Sequence, residues 1–117
     1  MLSLEEIREY CLSLPSTSED LPFDENTLAF RVVGKIFALC DIVDFNGINL
    51  KCDPERAVEL REQYDGIKPG YHMNKTHWNT VSTAGDVPDP LMLELLKHSY
   101  DTVVKGLPKK VQAELGK

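Results

Sequence analysis

Two β-rich runs with almost nothing between them constrain this chain most. Residues 27–33 (Thr27, Leu28, Ala29, Phe30, Arg31, Val32, Val33) and residues 36–42 (Ile36, Phe37, Ala38, Leu39, Cys40, Asp41, Ile42) flank Gly34 and Lys35. A two-residue turn containing glycine between two such runs predicts an antiparallel hairpin. A second turn around residues 44–47 leads to a third strand over residues 48–52. There Ile48, Leu50 and Cys52 share one face, and Asn49 and Lys51 share the other. That alternation predicts an antiparallel sheet with one wet face.

Helices frame these strands. Ser3 with Glu6 three residues later is a capping box, opening a helix with Leu4, Ile7, Cys11 and Leu14 on one stripe, stopped by Pro15. Residues 16–18 read as a loop, and residues 19–23 as a short edge strand, because Pro22 rules out a central place in a sheet. Asp53, Pro54 and Glu55 are the N-cap, first-turn proline and dipole-matched acid of a second helix. Its stripe is Ala57, Leu60 and Tyr64, and Gly66 lies past its end. Two short strands are expected over residues 67–71 and 78–83, with a turn at residues 74–76. Pro88, Asp89 and Pro90 start a long helix to about Lys105, with Leu93, Leu96, Tyr100, Val103 and Leu107 recurring at 3-4-3-4. Residues 106–108 break it before a short terminal helix over residues 109–115. The order α-β(3–4)-α-β(2)-α-α predicts an α+β fold, with an antiparallel sheet covered by helices on one side and its other face free for a partner.

At 117 residues the chain is expected to form one domain, residues 1–117, around one core. No apolar run approaches the roughly 20 residues that cross a bilayer, and residues 1–6 lack the basic and apolar regions of a signal peptide. Cys11, Cys40 and Cys52 form an odd set without C-x-x-C spacing, expected to be buried reduced thiols of a cytoplasmic protein. The net charge is −6, and the first 30 residues account for it: seven acids stand there against Arg8. Bulk electrostatic coating of nucleic acid is thereby disfavoured, while a local basic face is not.

Such a face has one candidate. From Gly66 to Gly85 there is no acidic residue, and the segment holds Lys68, Tyr71, His72, Lys75, His77 and Trp78, the only tryptophan. His72 and His77 lie five residues apart, on opposite faces of a continuous strand, and no third ligand has suitable spacing, so neither a metal nor a cofactor is expected. Ser82 and His77 lack a nucleophile elbow or other catalytic frame, and no phosphate-cradling glycine loop occurs, so no enzyme is expected. Polyanion binding fits better. Lys68 and Lys75 neutralise phosphates, Asn74 and Asn79 address base edges, and Tyr71, His72, His77 and Trp78 offer stacking faces. Arg31, Lys35 and Lys51 extend this surface if their faces agree. Each residue also has a packing role to set against this. Trp78 is equally read as the large side chain filling the core under the last helix, and Asn74 as a residue tolerant of turn conformations.

Residues 49–57, residues 66–81 with their H-x-N-K-x-H-W core, His98-Ser99-Tyr100 and residues 107–110 together resemble the MmcQ/YjbR family of small bacterial proteins. The resemblance spans nearly the whole chain. It implies a compact double-wing fold, also described as like CyaY or the secretion chaperones, and a DNA-binding function, with no catalytic residues to carry over. The positions matching the family's motif are Lys68, Tyr71, His72, Asn74, Lys75, His77, Trp78 and Asn79. A DNA partner is therefore expected, with a monomer favoured and no membrane association. The alternative is a non-enzymatic protein-interaction module of the chaperone kind.

Overall fold

The computed structural model describes residues 2–70 and 73–115. Helix α1, Leu4–Ser13, starts on the capping box: Ser3 Oγ accepts the Glu6 N–H, and Glu6 Oε1 accepts the Ser3 N–H, both at 3.1 Å. It buries Ile7 and Cys11. Strand β1, Thr17–Asp20, begins earlier than expected. Ser16, at φ 57, turns the chain in one step, and Thr17 is already paired with Val32. Residues 21–26 are consequently a loop rather than strand. Asp24 holds it in shape, its Oδ1 accepting the Asn26 and Thr27 N–H groups at 2.8 Å each.

Strands β2, Thr27–Val32, and β3, Lys35–Asp41, form the hairpin. Its two-residue turn is Val33-Gly34, one residue before the expected Gly34-Lys35. Both turn residues have positive φ, 49° and 78°, the twist that matches paired strands. A register shift after Phe30 skips Phe37, so Phe37 and Ala38 both point inward and are fully buried. Strand β4, Gly47–Lys51, pairs with β3 only as far as Ala38–Leu50. Helix α2, Pro54–Gln63, is capped by Asp53 and ends at Tyr64. Strands β5, Ile67–Pro69, and β6, Trp78–Ser82, are both shorter than expected. Helices α3, Asp89–Lys105, and α4, Lys109–Leu115, complete the chain, and α4 buries no residue.

The six strands run β1-β2-β3-β4-β6-β5, antiparallel throughout. Cross-strand register separates the two faces. One row is Leu28, Cys40, Ile48, Val81 and Ile67; it packs against Ile7 and Cys11 of α1, Ala57 and Leu60 of α2, and Leu95 and Leu96 of α3 in a single core. The neighbouring row, Ala29, Leu39, Asn49, Thr80 and Lys68, faces away from all the helices. The cysteines are free and buried, and burial pushes the Cys11 and Cys40 thiols up to about 12. No helix among the described residues is long and apolar enough to cross a membrane.

Two α3 side chains join layers. Ser99, fully buried, accepts the Lys51 N–H at 2.9 Å and donates to the Phe37 carbonyl, bridging the point where β3 and β4 part. His98 Nε2 accepts the Asp53 N–H at 3.2 Å, which requires the neutral imidazole. Burial first, then the nearby Arg56, hold His98 below its ordinary value of 6.5. Because the folded value lies below the unfolded one, this contribution is complete above about pH 6.5 and is lost as pH falls through the folded value. The depressed carboxylates of Glu19 and Asp86 respond only in more acidic solution. The urea midpoint is expected to fall between about pH 7.5 and 5.5, and to fall less in His98→Gln, whose amide oxygen accepts without titrating. An equal fall in both proteins would remove His98 as the cause.

Candidate functional site

The segment carrying the expected site is built around Arg61 of α2. Its Nε donates to Asn79 Oδ1 at 2.6 Å, and its Nη2 donates to the Lys75 carbonyl and, at 3.4 Å, to that of Trp78. Asn79 Nδ2 donates in turn to the Ala57 carbonyl at 3.3 Å, and Asn79 is 2% exposed. Asn79 is thus buried on the helix side of the sheet, where a base edge cannot reach it. Strand alternation then places its neighbours Trp78 and Thr80 on the opposite, helix-free face.

Trp78 is half-buried there and does not lie under α3. Its cross-strand partner is Lys51, and Lys68 sits diagonally across β6, opposite Thr80. Gly70 allows the chain to pass this close. Its N–H donates to the Trp78 carbonyl at 2.8 Å, and a Cβ would lie 2.8 Å from Trp78 Cβ, closer than unbonded carbons approach. Lys68, Lys75 and His77 are exposed. Asn74 shapes the turn: its carbonyl accepts the His77 and Trp78 N–H groups at 3.2 and 2.9 Å, and its Oδ1 accepts the Thr76 N–H at 2.9 Å. Tyr71 and His72 lie outside the described residues. Arg31 reaches the same sheet face, but its guanidinium is held by Asp20 at 2.9 Å and by the Gly34 carbonyl.

Beside Trp78 the uncovered face is hollowed into a groove of about 670 Å³. Leu39 and Ile36 contribute its apolar lining, Phe23 and Met73 join Trp78 in bounding it, and Thr27, Asp41 and Asn49 are its polar groups. Asn49 Oδ1 accepts from Thr80 Oγ1, leaving the side-chain amide N–H groups as donors. Asp41 Oδ1 accepts the Val43 and Asp44 N–H groups at 2.8 and 2.9 Å. Charge is divided across this face: Lys51 of β4 and Lys68 of β5 flank Trp78 of β6, whereas Asp41 lies on β3. Sequence reasoning missed Arg61, Phe23, Leu39 and Met73. The expected free sheet face, the placing of Asn49 and Lys51 on a wet strand face and the naming of Trp78 as a stacking surface pointed here. Among the described residues no three His, Cys, Asp or Glu side chains are grouped to hold a metal.

The model of the family described as YjbR matches residues 12–102. This chain belongs to the YjbR family. A YjbR-family relative, the uncharacterized protein YbdF of Escherichia coli O157:H7, is 37% identical over 109 residues, covering 92% of this chain and 89% of YbdF. The uncharacterized protein YjbR of Escherichia coli K12 is 31% identical, with 92% of each chain covered. Among solved structures, the Deinococcus radiodurans protein DR2400, of the DUF419 domain family, superposes with a TM-score of 0.91 at 45% identity, over 99% of this chain and 89% of that one. The α+β fold is thus shared with that protein, and the H-x-N-K-x-H-W segment lies inside the region matched by the family model.

Proposed function

We propose that this YjbR-family chain binds DNA through its uncovered sheet face, acting by binding rather than catalysis, as a monomer in the cytoplasm. One observation carries the reading. The only tryptophan stands half-buried on the helix-free face, directly opposite Lys51 and diagonal to Lys68. An aromatic platform with flanking cations is what nucleic-acid binding on a sheet uses. Lys75 and His77, exposed in the turn that leads into Trp78, extend it. Asn79 and Asn74 leave the contact set, because the core and the turn already occupy them.

Fluorescence anisotropy of a labelled oligonucleotide at low salt tests this. Three lysine–phosphate contacts predict a slope of about −2 to −3 in log affinity against log salt. Absence of binding at about 20 mM salt, or binding indifferent to salt, would overturn it. One observation favours a second reading, a chaperone-like protein-interaction module: Phe23, which bounds the groove, and Leu21 in the same loop are 66% and 46% exposed. That reading predicts a protein partner and indifference to nucleic acid.

A further inference from the structure

We propose that the groove beside Trp78 takes an unpaired base, so that the chain selects single-stranded over double-stranded nucleic acid. This rests on the nucleic-acid reading above and adds the form of the partner. Trp78 is half-buried beside the groove rather than projecting from the surface, so it cannot wedge between the base pairs of an intact duplex. In a duplex the flat faces of the bases are already stacked and their pairing edges already occupied. A recessed aromatic therefore gains contact only with a base that can leave the stack. The volume, about 670 Å³, lies in the range of pockets that enclose a ligand of nucleoside size.

The lining matches the chemistry of such a base. Leu39 and Ile36 offer an apolar floor, with Trp78 and Phe23 as aromatic surfaces for its faces. Asn49 and Asp41 are on the same sheet face: Asn49 is paired with Leu39, and Asp41 lies two residues further along β3, a diagonal neighbour. Their amide donor and carboxylate acceptor suit a pairing edge, which on every base carries both an acceptor and a donor. Charge sorting fixes the direction. Phosphates are attracted to Lys51 and Lys68 and repelled by Asp41, so the strand runs along the β4–β6–β5 side with its base directed toward β3.

The test compares a labelled mixed-sequence 12-mer DNA strand with the same strand in a duplex, by anisotropy at low salt. Single-strand affinity is expected to exceed duplex affinity by about tenfold or more, the worth of one aromatic stacking contact. Phe23→Ala, at a side chain 66% exposed, keeps the thermal midpoint and weakens only the single-strand complex. Asn49→Ala weakens it also. Equal affinity for both forms, still lost on charge reversal at Lys68 and Lys75, would overturn this inference and leave the nucleic-acid reading standing. Binding of neither form would overturn both.

Discussion

Replacing Ser99 with alanine is expected to destabilise the fold by about 2–4 kcal/mol, although the change removes a single oxygen atom. The β3–β4 ladder ends at Ala38–Leu50, so the Phe37 carbonyl and the Lys51 N–H have no partners in each other. Ser99 Oγ serves both, donating to one and accepting from the other, from a side chain that is itself fully buried. Alanine leaves a donor and an acceptor unpaired; each costs about 1–3 kcal/mol when water cannot reach it, and the Lys51 N–H, only part-buried, stands at the low end. Against the 5–15 kcal/mol typical of a whole domain, that is a large fraction. Urea denaturation reads it as a lower midpoint with an unchanged slope. A midpoint within about 0.5 kcal/mol of the parent would show that the strands close on each other without the bridge. The consequence reaches the site, because Lys51 stands opposite Trp78. A loosened C-terminal end of β4 also misplaces the cation beside the aromatic platform.

Reversing charge at Lys68 and Lys75 together carries the largest expected effect on binding. Both side chains are exposed, so Lys68→Glu/Lys75→Glu is expected to keep stability within about 0.5 kcal/mol. Removing two phosphate contacts and adding two repulsions should weaken oligonucleotide binding by about 30- to 100-fold at low salt. The salt dependence should also flatten by about two units of slope. The net charge of −6 sharpens the contrast, since no general positive field compensates for the loss. Unchanged affinity in the double variant would move the contact surface away from the β5–β6 edge.

What could be read from the sequence was what depends on near neighbours. The Ser3–Glu6 capping box and the Asp53 cap lie within a turn of the residues they act on and stand in the fold, while of the α3 stripe Leu96, Tyr100 and Val103 are buried and Leu93 and Leu107 only partly so. The hairpin was legible too, but its turn is displaced by one residue: Val33 adopts the left-handed conformation that composition assigned to glycine and its successor. Edge strand β1 was misplaced because Thr17 and Ser18 look like loop residues until Val32 and Arg31 are available to pair with them. The site shows the same division. Lys68, Lys75 and His77 are exposed as a polar segment suggests. Asn79, polar in the same segment, is buried because Arg61, eighteen residues away, reaches across to it. The groove combines Phe23, Leu39, Asn49, Met73 and Trp78 from five separate stretches of chain, and no local pattern announces such a union.

Because Trp78 is the only tryptophan, its emission reports directly on whether the uncovered face is the binding surface. Titration with a single-stranded 12-mer at low salt is predicted to quench Trp78 fluorescence in step with the rise in oligonucleotide anisotropy, giving one dissociation constant from both signals. A rise in anisotropy with Trp78 emission unchanged would place the nucleic acid elsewhere on the molecule and contradict the assignment.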